Sequence, residues 1–368
     1  MIDELGAKNV YVLANNSSRP LVADFVARLE ARGLLAAPMD TGVGMGGGEA
    51  GLLRACDAAA AARADCVLTV GGGAVQDAGK LVRAWLAACA RDAGEGGARR
   101  RASVRGLQDG PREGLPPQIA CPNSFAMAEL THVAGLTTAA KAKSGAAHPA
   151  LMPTVVVYDA ALSREMPDWV RFGTALRGLE HAVGAVTHPQ ADEDVRARAL
   201  QGLRLVCQGL AALTDDPEAE RAQTDCYLGG WMAIRALNTG CYPALAHLIQ
   251  NHYSARFDVH QGSCSGILCA RILRYHREAS RGPQERIAAA LGAEEGGGDA
   301  PRLVRDLVAT LPGVAKEHAE VGVTPDMLRD FADFLFEEHG ARLNQLSPAP
   351  FGSARDILDM LTLPLDAL

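Results

Sequence analysis

The chain has 368 residues, a formal charge of -7 and 48% hydrophobic residues. That length suggests roughly two domains and allows a sizeable core. The mildly acidic balance, without a long basic run, argues against nucleic acid and anionic membranes as partners. The start, MIDELGAKNVYVLANN, lacks a basic segment ahead of an apolar stretch, so no signal peptide is expected. No uncharged apolar run approaches the length of a membrane span. Nine cysteines occur without a CxxC pair, and several, such as Cys66 and Cys121, sit in apolar runs. They read as small buried thiols of a cytoplasmic protein, neither a disulfide framework nor a zinc site. Abundant Ala, Arg and Gly point to a high-GC genome.

The first 160 residues or so alternate β-rich runs with helical patterns. VYVLA (10–14) reads as a strand, and 20–33 as a helix closed by Gly33. Leu35–Met39 reads as a second strand followed by Asp40, and Thr41–Gly48 as a Gly-rich loop. Helix 51–64, strand CVLTV (66–70) and helix 75–90 follow. Apolar runs at 118–121 and 154–158 read as further strands. The alternation implies a parallel sheet covered by helices on both faces. Residues 90–118, with the ARRRAS segment, read as a solvated polar excursion. Beyond this region helical periods dominate, at 169–186, 192–213, 218–237, 242–254, 264–279, 301–311 and 324–341. The boundary is placed near Asp159, giving an α/β domain over 1–159 and an all-helical domain over 160–368.

LTVGGGAVQDAGKLVRAW (68–85) carries the most chemistry. A buried strand runs into Gly71, Gly72 and Gly73 and then into a helix. Glycines let the backbone approach an anion, and the helix start offers free N–H groups and the positive end of its dipole. A dinucleotide pyrophosphate suits such a loop, although a tight strand-to-helix turn has the same outline. It is neither GxGxxG nor a Walker loop. A carboxylate at Asp40, after the second strand, would bond a ribose hydroxyl and repel a 2′-phosphate, which favours NAD over NADP.

This stretch resembles the GGGSxxDxAK motif of the iron-containing alcohol dehydrogenase superfamily, with Ala74 for Ser and Gly79 for Ala. ACPNSFAMAELTHVAGLT (120–137) is similar to the family's cofactor-lining segment: Pro122, Glu129, Thr131 and Thr137 match. There Asn123 and Ser124 replace two threonines, Met127 replaces Gly, and Ala128 replaces Ser. PTVVVYDAALSREMP (153–167), TALRGLEHAVGAV (174–186) and RFDVHQGSCSGILCARILRYH (256–276) resemble further family segments, so the likeness runs through most of the chain. It implies a dehydroquinate synthase-like fold, in which an α/β dinucleotide-binding domain with a parallel sheet precedes an all-α domain. It also implies that the glycines carry the pyrophosphate, that Asp77 lies near the nicotinamide, and that Asn123, Ser124 and Met127 line the cofactor.

Metal-using members hold iron or zinc with one Asp and three His. Here the matching positions are Arg177, His181, His247 and Gln261. Arg repels a cation and Gln is a poor ligand, so no bound metal is expected unless His252 or His260 completes the site. Loss of the Asp resembles the maleylacetate reductase branch, whose substrate is carboxylated. Hydride transfer between NAD(P) and a carbonyl or alcohol carbon is therefore the leading expectation. Arg177 would bind or polarise the substrate, or else pair with Glu180 or Glu129; His181 or His247 would exchange the proton; and Lys141 and Lys143 would steer an anion or stand as plain surface charges. Two alternatives stand beside it. Similar superfamily members occur in peptide-modifying clusters, including daptide-type oxidative decarboxylation of a peptide C-terminus. Loss of ligands also fits a cofactor-binding scaffold subunit. A homodimer or a complex with a pathway enzyme is expected in either case.

Overall fold

The computed structural model describes residues 1–43, 48–91, 113–137, 143–294 and 298–365. Four strands form a parallel sheet: β1 (Val10–Ala14), β2 (Cys66–Gly71), β3 (Gln118–Pro122) and β4 (Val155–Val156), in that order across the sheet. Register pairs Val10 with Cys66 and Val67 with Gln118. Every residue of β1 and β2 is buried, as strands covered on both faces must be. The period-two alternation divides them between two cores. Val10, Val12, Leu68 and Val70 pack with Val22 and Leu29 of α1 (Arg19–Ala31). Tyr11, Leu13 and Val67 pack on the other face with Leu52 and Cys56 of α2 (Gly48–Ala61) and Val75, Leu81 and Trp85 of α3 (Gly73–Arg91).

The expected strand at Leu35–Met39 is not one. The segment touches β1 only through isolated parallel bridges, Val10 to Leu35 and Leu13 to Asp40. Pro38 stands between them and has no N–H to give a ladder, so pairing is confined to the two ends. The expected strand at 154–158 shortens to Val155–Val156. An unexpected antiparallel pair, β5 (Val133–Thr137) and β6 (Lys143–Ala147), lies outside the parallel sheet. Residues 44–47 of the Gly-rich loop, residues 92–112 with the ARRRAS segment, and Lys141 fall outside the described residues, as does the side chain of Lys143.

The chain divides into two compact units, Met1–Glu165 and Met166–Leu368. In the second unit α4 (Asp168–Thr187), α5 (Glu193–Asp215) and α6 (Glu220–Leu237) pack together. A Cβ on Gly202 of α5 would sit 2.7 Å from the Gly229 carbonyl of α6, so this crossing needs glycine on both helices. Then come α7 (Leu245–Phe257), α8 (Gln261–Tyr275), α9 (Arg281–Ala290), α10 (Ala300–Thr310), α11 (Pro325–Leu346) and α12 (Ala354–Leu361). Ile249, Tyr253, Ile267, Phe331, Leu335 and Ile357 from α7, α8, α11 and α12 share a core. No helix among the described residues is long and apolar enough to cross a membrane.

Candidate active site

In the first unit the Gly71–Gly73 turn joins the C-terminal end of β2 to the start of α3. Asn123 fixes the neighbouring end of β3. Its backbone N–H donates to the Gly71 carbonyl at 3.2 Å, and its amide donates to Ser18 Oγ at 2.8 Å. A Cβ on Gly71 would collide with Asn15 Oδ1 at 2.6 Å, whereas the nearest atoms to one on Gly72 would be Ser124 Oγ at 3.3 Å and, at 3.9 Å, Asn123 Oδ1 and Ser124 Cβ. Gly72 thus lies beside polar side chains at a helix N-terminus, where an anion is favoured. Met127 is buried and left-handed, with φ of 61°. That explains why the family pattern carries Gly there, and it places strain in the segment.

Asp77 is more engaged than a free cofactor ligand. Its Oδ1 accepts from Lys80 Nζ at 3.0 Å and its Oδ2 accepts from the Gly135 N–H at 2.9 Å. Lys80 is wholly buried and also donates to the carbonyls of Ala128 at 2.7 Å and Val133 at 2.6 Å. The pair ties α3 to the 128–135 segment. Glu129 is buried beside them and accepts from the Tyr158 hydroxyl at 3.1 Å. Burial raises its carboxyl to about 7. Asp40 accepts from Tyr11 Oη at 3.0 Å and from the Gly42 N–H at 2.7 Å, while Arg19 donates to the adjacent Thr41 hydroxyl at 3.1 Å.

In the second unit α4 carries Arg177, Glu180 and His181. Glycines bracket them. A Cβ on Gly262 of α8 would strike the backbone of Gly173, and one on Gly184 would lie 2.6 Å from Ala244, which caps α7. These approaches bring the first turn of α7, with His247, against α4. The His181 and His247 rings lie 4.9 Å apart. Between them stands Glu180, expected from the sequence only as an ion-pair partner for Arg177. Its Oε2 is 3.1 Å from His181 Nδ1 and 3.7 Å from His247 Nδ1, although neither approach has hydrogen-bond direction. His247 Nε2 meets the Tyr242 hydroxyl at 3.2 Å. Burial works to raise the Glu180 carboxyl, but the two imidazoles outweigh it and hold the group well below the usual range. Burial pushes His247 down to about 4, against the pull of Glu180.

The remaining expected residues lie otherwise. Gln261 donates its amide to Asn251 Oδ1 at 2.8 Å. His260 caps α8 through Nδ1, 3.2 Å from the Gly262 N–H, with its ring edge-on to Trp169. His252 stacks on His339 with ring centroids 4.0 Å apart. Among the described residues only Glu180, His181 and His247 gather as a possible ligand set, with donor atoms within 4.8 Å of one another. The family's four-ligand arrangement does not fit, because a guanidinium and an engaged amide hold two of its positions. Arg177 is partly buried, its Nε has no partner, and no carboxylate among the described residues pairs with it. Its charge is close enough to help depress His247 and His260.

Comparison with known proteins identifies the lineage. The family model for iron-containing alcohol dehydrogenase matches residues 1–160, and that for the C-terminal part of the Fe-containing alcohol dehydrogenase family matches residues 172–361, more than half of the chain. The chain belongs to the iron-containing alcohol dehydrogenase family. Within the family it is similar to maleylacetate reductase 2 of Cupriavidus pinatubonensis, 26% identical over 81% of this chain and 74% of that enzyme. It is also 25% identical to maleylacetate reductase 1 of Rhodococcus opacus over 68% of this chain, a match spanning only 60% of that protein's length. The fold is shared with the maleylacetate reductase of a Rhizobium species at a TM-score of 0.79 and 23% identity, covering 98% of this chain and 90% of that one. It is shared equally with NADH-dependent butanol dehydrogenase A of Thermotoga maritima, at a TM-score of 0.81 and 19% identity, covering 98% and 92%.

Proposed function

We propose that the protein is an NAD-dependent oxidoreductase that moves a hydride between the nicotinamide and a carbonyl or alcohol carbon of a carboxylate-bearing substrate, without a bound metal. The observation that carries this reading is the unpaired guanidinium of Arg177, beside two imidazoles where the family's metal-binding Asp would stand. A partly buried cation without a protein partner has an incentive to take an anion from outside. Its planar fork suits a carboxylate, and it also supplies the positive charge that a metal supplies elsewhere.

The nicotinamide, when bound, supplies the hydride; Gly71–Gly73, Ser124 and Asp40 would hold the dinucleotide, and Asp77 would keep the neighbouring segment in place. Of the two imidazoles, His181 is the better proton-exchanging group, since His247 Nε2 is already engaged by Tyr242. In oxidation His181 would accept the hydroxyl proton as hydride leaves the carbon. In reduction the imidazolium would return it.

The test is steady-state turnover with NADH on a panel of oxo acids, their amides, and a peptide bearing a free C-terminal carboxylate. Oxidation with NAD is followed on the matching hydroxy compounds. Acids turned over at least tenfold better than amides support the reading. Preference for the peptide would place the enzyme in peptide tailoring. Equal use of acids and amides would remove the role given to Arg177, and NADH binding without any turnover would leave a scaffold subunit.

A further inference from the structure

Glu180 is fully buried on α4, and its chain neighbours Leu176, Leu179 and Val183 are buried too. Four atoms in this cluster are buried without a hydrogen-bond partner: both carboxylate oxygens, Nδ1 of His181 and Nδ1 of His247. Polar atoms in that position are costly unless they satisfy one another. Both Nδ1 atoms lie near the same oxygen, Oε2, at 3.1 and 3.7 Å. A proton on each Nδ1 would let both rings donate to one anionic acceptor after small rotations.

We propose that Glu180 is a positioning residue that fixes both His181 and His247 as Nδ1–H tautomers and thereby turns the lone pair of each Nε2 away from itself. A second contact is compatible with this. The Tyr242 hydroxyl lies 3.2 Å from His247 Nε2. A phenol can donate to a bare ring nitrogen or accept from a ring N–H. With the proton of His247 on Nδ1, Nε2 is bare and the hydroxyl is its donor. The consequence for His181 rests on the hydride-transfer reading above: with its proton on Nδ1, the ring offers substrate an acceptor at Nε2, a base placed to take a hydroxyl proton.

A divalent ion between the three donors makes the opposite prediction. It would occupy the Nδ1 lone pairs and drive both ring protons to Nε2. Long-range proton–nitrogen NMR on full-length protein with ¹⁵N-labelled histidine separates the two, using His181→Gln and His247→Gln for assignment. At pH 8 the wild type is expected to show both rings as Nδ1–H, with under one tenth of an iron or zinc per chain by elemental analysis. Glu180→Gln, which removes one acceptor, is expected to move at least one ring toward Nε2–H. Either ring found as Nε2–H in wild type overturns the proposal, as does stoichiometric metal lost in Glu180→Gln. Should Glu180→Gln not fold, the wild-type spectrum decides alone. The spectrum reads out without turnover, so failure of the hydride-transfer reading and failure of this assignment are distinguishable.

Discussion

Lys80 reaches Asp77 at 3.0 Å from a site with no solvent exposure, and the same ammonium holds two backbone carbonyls of the following segment. A buried charge so arranged is a structural bolt. Lys80→Met should leave Asp77 without its cation and the Ala128 and Val133 carbonyls without a donor, at a cost of about 3–5 kcal/mol. Asp77→Asn should cost less, because three oxygen acceptors still surround the ammonium. Urea unfolding of both variants checks the order; equal losses, or a larger loss for Asp77→Asn, would refute it.

Two glycines of the phosphate-loop segment should respond in opposite ways. A side chain at Gly72 finds its nearest atoms at 3.3 Å and 3.9 Å, so Gly72→Val should fold while occupying the place proposed for the pyrophosphate and weakening NADH by at least ~2 kcal/mol. A Cβ at Gly79 would lie 2.6 Å from Gln118 Nε2 and strike Thr69. Those two side chains and Gln76 form a buried network in which Thr69 donates to Gln76 at 2.6 Å and Gln118 donates to Thr69 at 3.2 Å. Gly79→Ala should therefore lower the melting temperature and spare NADH affinity in whatever protein folds. Fluorescence titration alongside thermal melts tests the contrast; a Gly72→Val protein that binds NADH normally would end the pyrophosphate assignment.

What the sequence disclosed followed the strength of its periodicity. VYVLA and CVLTV announced themselves because strands buried on both faces are apolar without interruption. VAGLT and KSGAA did not, since small residues carry no period to read. Leu35–Met39 looked like a strand by composition, and one proline broke its pairing. Arg177, His181, His247 and Gln261 could be placed by resemblance. Glu180 was less legible, because the family pattern assigns no ligand to its position. Its signal was nevertheless present: an acidic residue inside LEHAV, where every neighbour belongs to the core. Met127 was visible as a departure from glycine, but its left-handed backbone emerged only from the structure.

Glu129 gives the fold a dependence on pH. Its carboxyl rises from 4.5 in the open chain to about 7 when folded, mainly through burial. Below the lower value both states hold the proton and nothing is lost. As pH rises toward 7 the unfolded chain releases its proton freely while the folded chain resists, so stability falls, by about 3 kcal/mol at most. Glu129→Gln keeps an acceptor for Tyr158 and never ionises. Its urea midpoint should exceed that of wild type by more at pH 8 than at pH 5. The same difference at both values would mean that Glu129 is not held protonated.

Arg177 separates a substrate role from a structural one. It makes no ion pair among the described residues, so Arg177→Lys should leave the melting temperature within a few degrees of wild type and NADH affinity unchanged. The lysine keeps the charge and loses the fork. That should lower kcat/KM for carboxylated substrates by about 2 kcal/mol, roughly thirtyfold, with little effect on their amides. Arg177→Asp goes further, placing a carboxylate four residues before His181 and a second negative charge near Glu180. The apo variant should be less stable than wild type, and excess zinc should raise its melting temperature while leaving that of wild type unmoved. If Arg177→Lys instead melts many degrees lower with unaltered kinetics, the guanidinium serves the fold, and the carboxylate of the substrate must be bound elsewhere.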